Sequence, residues 1–364
     1  MSVHDQDGFT VTVDGQTTTA HPGETVLDVT RRLGRAVPTL CHDDRLDPAG
    51  ACRACLVEVA GQRRLQPACT WKATAGQEIT TTSDRIERHR QVLMSMYLAD
   101  HDLDATGNPH DCADGNDLLR WKQTVEASGR TALAFPPIHA DRQGRDDPNP
   151  YIAFDPGKCI LCARCVRYCD EVEAVSAITL SERGSRTTIA TVDDISLLDS
   201  SCELCGGCID TCPTGALFEK KAPRLTPSET TAVRTTCNFC GVGCQLNLHV
   251  KDDRVIRVSS PPPGETLNDG NLCVKGRFAT DFIHHGDRLT TPLIRREDGH
   301  LHPASWPEAI ETVAQGLRRV QKQHGTDSLG FISSSRCTGE ENYLLQKLSR
   351  AAFGTNNCHQ CAAT

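Results

Sequence analysis

The feature that most constrains this chain is a cysteine pattern that occurs twice. Cys159-x-x-Cys162-x-x-Cys165-x-x-x-Cys169 is repeated as Cys202-x-x-Cys205-x-x-Cys208-x-x-x-Cys212, and Pro213 follows. Three cysteines at intervals of three can wrap one face of a 4Fe–4S cube, while the fourth lies too far along the chain and reaches a second cube. The pattern therefore predicts one 4Fe–4S cluster on Cys159, Cys162, Cys165 and Cys212, and another on Cys202, Cys205, Cys208 and Cys169. Zinc is the alternative, but it favours two separated Cys-x-x-Cys pairs over triples.

Composition agrees with a fold organised around sulfur. Of 364 residues, 20 are cysteine and only 4% are aromatic. A net charge of −8 argues against a nucleic-acid binder, and no apolar run approaches the length of a membrane span. Met1 to Thr10 is polar and shows no export signal. We therefore expect a cytoplasmic protein, where metal ligation is favoured over disulfides.

A looser set precedes the double pattern, with ten, two and thirteen residues between its members. It consists of Cys41, Cys52, Cys55 and Cys69. Phe9 to Val13 alternates at strand period before the turn residues Asp14-Gly15, and Thr25 to Leu33 indicates a short helix. This region, residues 1–83, resembles the N-terminal 2Fe–2S domain of the large complex I subunit, a β-grasp ferredoxin. The resemblance implies a 2Fe–2S cluster on these four cysteines; zinc is again the alternative.

A third cysteine group lies within residues 230–290. It reads Cys237-x-x-Cys240-x-x-x-Cys244 and is followed after twenty-eight residues by Cys273-Val-Lys275-Gly276. Four cysteines again predict a 4Fe–4S site. The three-residue gap and the Cys-x-Lys-Gly ending resemble the first domain of molybdenum or tungsten bis-pterin-guanine-dinucleotide (bis-MGD) enzymes. In that family the lysine relays electrons between cluster and pterin, so the resemblance gives Lys275 that role; a surface charge is the alternative.

The remaining sequence divides around these groups. Residues 151–225 form the bacterial-type 2×(4Fe–4S) ferredoxin domain, in which Asp170 replaces a proline that shapes a turn. Residues 84–150, a helical and loop connector, begin with a helix capped by Ser83. They stand where relatives carry a His-plus-three-Cys cluster, but with only Cys112 beside His101 and His110 we expect the site to be degenerate across His101 to Leu118.

Residues 291–364 resemble the truncated start of an α/β molybdopterin domain. Ser305 is expected to cap a helix whose Trp306, Ile310, Val313, Leu317 and Val320 share one face and which ends at Gly325. A strand over Leu329 to Ile332 and a helix over Glu340 to Phe353 should follow. Four cysteines lie outside the predicted sets, namely Cys112, Cys337, Cys358 and Cys361, and of these Cys337 is expected to be a small buried residue. The predicted fold class is thus α+β and multidomain.

In this order the domains resemble the α subunit of NAD-dependent formate dehydrogenases. Cys337-Thr-Gly-Glu340 and Gly354-Thr-Asn356-Asn357 are similar to that family's pterin-binding stretch. The resemblance implies one 2Fe–2S and three 4Fe–4S clusters, bis-MGD with molybdenum or tungsten in the complete enzyme, and formate as substrate. Electrons would leave at the 2Fe–2S end to a flavin-bearing, NAD-reducing diaphorase-type subunit.

Three alternatives remain open. An iron-only hydrogenase shares the first two cluster modules, but the Cys-x-Lys-Gly motif is foreign to it. The large complex I subunit shares the 2Fe–2S domain and a later four-Cys site. The chain could also be a stand-alone carrier of electrons or a split subunit of such an oxidoreductase.

The end of the chain suggests one more expectation. Selenocysteine-type formate dehydrogenases continue Gly-Thr-Asn-Asn, three variable positions, Cys-Ala-Arg, one residue, then the metal-binding selenocysteine. Here Cys361-Ala-Ala-Thr364 occupies those positions. We expect the next codon to encode selenocysteine, although Ala363 stands where arginine is expected, and a frameshift or split gene is the alternative. The chain alone is not expected to oxidise formate.

Overall fold

The computed structural model describes residues 8–101, 116–137, 146–222 and 229–361. Cys112 and His110, part of the site expected to be degenerate, lie outside the described residues, and so do Ala362 to Thr364. Among the helices that the structure describes, none combines the length and the apolar character needed to cross a membrane.

The first domain is a five-stranded mixed sheet with one helix packed on it. Its order is β2-β1-β5-β3-β4, in which β1 and β5 are parallel and the other neighbours antiparallel. The elements are β1 (Phe9–Val13), β2 (Gln16–Ala20), α1 (Val26–Arg32), β3 (Leu56–Val59), β4 (Gln66–Pro67) and β5 (Glu78–Thr80). Asp14 and Gly15 turn the β1–β2 hairpin with positive φ. This arrangement confirms the predicted β-grasp domain.

Local sequence explains why α1 forms where it does. Thr25 accepts the Asp28 N–H while the Asp28 carboxylate accepts the Thr25 N–H, a capping box that satisfies two N–H groups at the helix start. Val26, Leu27 and Val29 are fully buried against strands β1, β3 and β5. The helix therefore closes the core beneath the loop that carries Cys41 to Cys55.

Two helices follow and pack on each other. Ser83 caps α2 (Asp84–Ala99), as predicted. The second helix, α3 (Asp117–Ala127), lies in a segment expected to be rich in loops. Leu118, Trp121 and Val125 share its buried face. Their helical spacing was present in the sequence, but the surrounding Asp, Asn and Gly residues masked it.

The ferredoxin-like domain contains two short pairs of antiparallel strands and two short helices. β6 (Ile152–Phe154) pairs with β9 (Leu217–Glu219), and β7 (Thr179–Ser181) with β8 (Thr188–Ala190). The helices are α4 (Arg164–Arg167) and α5 (Gly207–Thr211), each of which begins within one of the two cysteine patterns. The equivalent halves therefore place their cysteine loops symmetrically.

The third cysteine group belongs to a small antiparallel sheet. Strands β10 (Thr231–Thr236), β11 (Gln245–Lys251) and β12 (Arg254–Ser259) precede α6 (Val274–Phe278). Leu246, Val258 and Leu272 form its core, and Cys237 and Cys244 pack against them. Cys273 occupies the N-cap of α6, so the motif around Lys275 lies on that helix.

The last described residues form the first elements of an α/β unit. They are β13 (Leu293–Arg295), β14 (Leu301–Pro303), α7 (Trp306–His324), β15 (Phe331–Ser334), α8 (Gly339–Lys347) and β16 (Cys358–Cys361). Ser305 caps α7, which ends at Gly325 as predicted. The strand lies two residues later than predicted, and the last helix changes to a π-helical turn over Leu348–Ala352.

Two features of this unit differ from expectation. Strand β16, which pairs in parallel with β15, was not predicted, because Cys358–Cys361 is too short and polar to show a period. On α7, Trp306, Ile310 and Val313 are 69%, 62% and 60% exposed. The described residues thus leave the first half of the predicted apolar face exposed, whereas Leu317 and Val320 in its second half are half-buried.

Candidate metal centres

The two cysteine loops of the ferredoxin-like domain share one unusual backbone conformation. Leu161 and Ala163 in the first loop have φ values of 55° and 58°, and Leu204 and Gly206 at the equivalent positions have 53° and 73°. Left-handed backbone at a leucine is costly and persists only where the surroundings impose it. These turns aim amides at sulfur: Leu161 donates to Cys159 Sγ at 3.4 Å, and Leu204 to Cys202 Sγ at 3.4 Å. Each loop is therefore wound around its cysteine side chains.

Each loop encloses a cavity, and the fourth cysteine of each cavity comes from the other pattern. Four cysteines line the first cavity, namely Cys159, Cys162, Cys165 and Cys212. Four others line the second, namely Cys169, Cys202, Cys205 and Cys208. The structure thus brings together the two sets of four that the sequence assigned to two clusters.

The ionisation of these thiols shows how closely they are grouped. Burial, together with the charges of Cys212 and Cys159, raises the pKa of the Cys162 thiol to about 12. Burial raises the pKa of Cys165 and of Cys208 well above the usual range, and the neighbouring cysteines add to it. Four thiolates are costly in such a place unless cations compensate them. Iron ions of a cluster supply that charge, so the donor set fits a 4Fe–4S group.

The set in the first domain is the most deeply buried of all. Cys41, Cys55 and Cys69 are 1% exposed and Cys52 is 5% exposed. The Cys52 amide lies 3.4 Å from Cys41 Sγ, and the sulfurs of Cys55 and Cys69 lie 3.5 Å apart. A hydrogen bond from the Cys52 thiol lowers the pKa of Cys41 to about 5. The long loop brings three cysteine sulfurs together with that of Cys69, two residues after β4, in one buried site, which fits a 2Fe–2S group.

The third set lies nearer the surface. Cys237 and Cys244 are half-buried, whereas Cys240 and Cys273 are exposed. Burial, followed by the charges of Cys273 and Cys240, raises the pKa of Cys237. Burial also raises the pKa of Cys244, and the charges of the other three cysteines add to that increase. A Cβ on Gly276 would lie 3.5 Å from Cys237 Sγ, so the Cys-x-Lys-Gly segment lies against the first cysteine of the set. The four predicted ligands are thus neighbours at one end of the small sheet, and Lys275 is exposed beside them.

The other cysteines and the histidine singled out in the sequence belong to none of the four cysteine sets. Cys337 is half-buried rather than buried, and Cys358 and Cys361 lie on β16. His101 is buried: Nδ1 lies 3.0 Å from the Lys158 carbonyl, and Nε2 lies 3.4 Å from the Asn116 amide. Its ring thus ties α2 and α3 to the ferredoxin-like domain.

Single-ion sites are a separate question. Within the ranges given for the structure, no group of three His, Cys, Asp or Glu side chains is arranged to hold one metal ion. The thiolates of an iron–sulfur cluster are instead spread around several irons, so the cysteine sets need not converge on one point.

Sequence reasoning missed a charged network that joins the cluster domains. Asp43 is buried, accepts two hydrogen bonds from the Arg45 side chain at 2.9 Å and accepts the Thr211 hydroxyl at 2.8 Å. Arg164 adds a contact at 3.3 Å and also reaches Asp117 at 3.1 Å. Asp43, Arg164 and Thr211 each lie next to or near a cysteine ligand in sequence, but 168 residues separate Asp43 from Thr211. No local signal could have paired them.

A glycine beside this network gives a first prediction. A Cβ on Gly207, which opens α5, would overlap the ring of Tyr168. Tyr168 cannot yield because it is 1% exposed and its hydroxyl is held by Asn271 at 2.5 Å. We expect Gly207→Ala to cost about 1–3 kcal/mol of the free energy of unfolding, measured by guanidinium chloride denaturation. Gly316→Ala on α7, where a Cβ meets nothing within 4 Å, should stabilise instead by about 0.5–1 kcal/mol; equal effects would contradict the packing argument.

Four family descriptions match successive parts of the chain. Residues 6–84 match a 2Fe-2S iron-sulfur cluster binding domain, and residues 149–218 match the ferredoxin-like domain of NADH-quinone oxidoreductase subunit 3. Residues 230–285 match the molybdopterin oxidoreductase Fe4S4 domain, and residues 288–364 match molybdopterin oxidoreductase. These matches confirm the predicted fold class.

Individual relatives extend over nearly the whole chain. The NADPH-Fe(3+) oxidoreductase subunit alpha of Geobacter sulfurreducens is 36% identical over 95% of this chain. A Staphylococcus aureus protein, whose name proposes formate dehydrogenase activity, is 29% identical over 98% of it. The chain spans 39% of the length of each of these relatives.

A solved structure supports the same grouping. A chain from the crystal structure of an NAD+-reducing [NiFe]-hydrogenase in the H2-reduced state is 31% identical, with a TM-score of 0.52. The match covers 60% of this chain and 90% of that one. Taken with the four domain matches, it shows that this chain belongs to the multidomain iron–sulfur oxidoreductases, with a 2Fe–2S domain, ferredoxin-like and Fe4S4 domains and the first part of a molybdopterin oxidoreductase domain.

Proposed function

We propose that this chain is the iron–sulfur, electron-transferring part of a formate dehydrogenase α subunit. The observation that carries the electron-transfer part of the proposal is the exchange of Cys169 and Cys212 between the two cavities of the ferredoxin-like domain. We assign one 2Fe–2S cluster to Cys41, Cys52, Cys55 and Cys69, and three 4Fe–4S clusters to the other twelve cysteines in sets of four. When bound, these clusters take up and release single electrons.

The chain's own residues hold the cluster sites in a fixed sequence. Arg167, on the first ferredoxin loop, donates to the carbonyls of Cys41 and of Asp47, the latter at 2.6 Å. The Asp43 network joins the same two domains. Arg277, on the helix that starts at Cys273, donates to the Cys205 carbonyl at 2.7 Å. Because direct bonds join neighbouring cysteine loops, the domains are positioned to pass electrons from the Cys273 end to the Cys41 end.

The substrate and the electron acceptor come from resemblance. The Cys-x-Lys-Gly ending and Gly354 to Asn357 are similar to formate dehydrogenases, and the Staphylococcus relative's name proposes that activity. We therefore assign formate oxidation to the complete protein with bis-MGD and molybdenum or tungsten. The related hydrogenase is NAD+-reducing, which supports a flavin-bearing, NAD-reducing partner. So many free thiolates favour a reducing compartment, the cytoplasm.

A second candidate is an electron carrier of a complex I-like oxidoreductase without formate chemistry. The match of residues 149–218 to a subunit of NADH-quinone oxidoreductase favours it. The deciding experiment is to purify the complete native protein anaerobically with its partners and to measure NAD reduction driven by formate. Formate-dependent NADH formation supports the first proposal. Viologen oxidation or NADH oxidation without any response to formate overturns it in favour of the second.

The proposed relay role of Lys275 can be tested in the same complete protein. Lys275 lies two residues after Cys273 and is exposed beside the third cysteine set. We expect Lys275→Ala to slow formate-driven electron transfer at least about tenfold, equivalent to about 1.4 kcal/mol in the barrier, with the iron content unchanged. The control is Lys251→Ala, because Lys251 ends β11 and pairs with Glu229 at 3.5 Å. Equal turnover in both variants would show that Lys275 is only a surface charge.

A further inference from the structure

A buried ion pair lies at the junction between the second ferredoxin cluster site and the third cysteine set. The Arg277 side chain is 2% exposed, and its Nη2 lies 2.8 Å from Asp210 Oδ2. The same guanidinium donates to the Cys205 carbonyl at 2.7 Å and to the Ser260 hydroxyl at 2.7 Å. One charged side chain thus contacts a cysteine loop and links it to the neighbouring domain.

Both members of the pair belong to elements that carry proposed ligands. The Arg277 side chain reaches Cys205, and the Arg277 backbone N–H donates to the Cys273 carbonyl at 3.1 Å in the first turn of the helix. Asp210 lies on α5 between Cys208 and Cys212 and also accepts the Ser260 amide at 3.2 Å. The ion pair therefore stands between two cluster sites rather than beside one of them.

The packing leaves the pair little freedom to rearrange. A Cβ on Gly206 would overlap the Arg277 side chain and lie 2.9 Å from Phe278 Cζ. Phe278 in turn stacks on Tyr151, with ring centroids 4.5 Å apart and planes at 5°. Glycine at position 206 is thus required twice, for its φ of 73° and for this close approach. The guanidinium is held at a fixed position against the cysteine loop.

We propose that Arg277 and Asp210 act in opposite directions on the reduction potential of the cluster on Cys169, Cys202, Cys205 and Cys208, so that their charges balance there, with Arg277 as a positioning residue for electron transfer from the Cys273 side. This inference rests on the cluster assignment proposed above. Cluster potentials respond to nearby hydrogen bonds, charge and burial. A buried charge acts strongly because little water screens it. Because the two side chains carry opposite charges, removal of either one should shift the reduction potential of the cluster in a different direction.

The proposal predicts opposite shifts from the two single variants. Arg277→Gln leaves the Asp210 carboxylate uncompensated, which disfavours the extra electron and lowers the potential. Asp210→Asn leaves the guanidinium uncompensated, which favours the electron and raises the potential. The double variant removes both charges and should return the potential close to that of the parent. A side chain that only supports the fold would not give shifts of opposite sign.

The test is a redox titration of the anaerobically reconstituted chain, followed by electron paramagnetic resonance. The relevant signal is the one lost in Cys205→Ser. At a fixed applied potential, each single variant should change its ratio of reduced to oxidised cluster about tenfold, in opposite directions, which is about 59 mV for one electron. The signals of the two more distant clusters, the one on Cys41 to Cys69 and the one on Cys159, Cys162, Cys165 and Cys212, should stay unchanged. Arg254→Gln is the matched control, since Arg254 is an exposed arginine of the same domain.

The outcomes separate this inference from the proposed function. If iron does not assemble on the parent chain, the cluster assignment itself fails. If clusters assemble but Asp210→Asn gives no upward shift, or both variants shift the potential the same way, the role of the pair is overturned. Asp210→Asn preserves side-chain shape and so remains informative even if Arg277→Gln fails to assemble. Arg277→Lys, which keeps the charge, should shift the potential less than Arg277→Gln.

Discussion

Replacing Cys212 by serine is expected to remove the cluster of the first cysteine pattern, although Cys212 belongs to the second. Its side chain lines the cavity formed with Cys159, Cys162 and Cys165, so its loss leaves one iron there without its thiolate. Conversely, Cys169→Ser should affect the cluster of Cys202, Cys205 and Cys208, because Cys169 lines that cavity. Each substitution should therefore act on the pattern to which the residue does not belong in sequence.

The effect should be large enough to read from iron content alone. The parent chain should bind about 14 irons, from one 2Fe–2S and three 4Fe–4S clusters, and each variant, which lacks one 4Fe–4S cluster, about 10. Paramagnetic resonance then identifies which signal is lost: Cys212→Ser and Cys159→Ser should lose the same one, and Cys169→Ser and Cys205→Ser the other.

Cys337→Ser is the matched control, because Cys337 is half-buried and outside all four sets. It should leave the iron content at the parent's value. A loss of the same signal in Cys212→Ser and Cys205→Ser would contradict the crossed arrangement, and zinc in place of iron would contradict the cluster assignment altogether.

Substituting Asp43 by asparagine is expected to weaken the contact between the first domain and the ferredoxin-like domain severely. The Asp43 side chain is 4% exposed and faces Arg45 and Arg164, which are 6% and 12% exposed. Asparagine keeps the shape but removes the charge that compensates two buried guanidinium groups. Breaking a buried pair in this way costs about 3–5 kcal/mol. The midpoint of denaturant unfolding, followed by circular dichroism, should fall accordingly.

The neighbouring residue provides the control. Asp44 pairs with Arg31 and His42, but its side chain is 59% exposed, so Asp44→Asn should cost no more than about 1 kcal/mol. Equal losses from the two substitutions would show that burial of the Asp43 network is not what stabilises the junction.

The same carboxylate makes the junction sensitive to acid. Burial alone would raise the pKa of Asp43, but the hydrogen bonds and charge of Arg45, with the Thr211 hydroxyl, hold that pKa well below its usual range. A lowered folded-state pKa contributes stability above the unfolded value of about 3.9, and that stability is lost as the pH falls below it. Between pH 7 and pH 5 the contribution is constant. Asp43→Asn should therefore flatten the loss of stability below about pH 4.

Much of the fold follows from local patterns in the sequence. The turn at Asp14-Gly15, the caps at Thr25 and Ser83 and the helix from Ser305 to Gly325 lie where short-range chemistry places them, because each depends on residues at most four positions apart. Helix α3 was missed because its apolar residues are few among polar ones. Strand β16 was missed because its partner β15 lies more than twenty residues away.

Cysteine spacing by itself predicted the two sets of the ferredoxin-like domain, including the exchange of Cys169 and Cys212, because a tight loop can offer only three sulfurs to one cube. Only the tertiary structure decided how the cluster domains are joined. Asp43 meets Thr211 across 168 residues, and Arg277 meets Cys205 across 72. Such contacts depend on how whole domains pack, and a buried charge finds its partner through that packing rather than through any spacing along the chain.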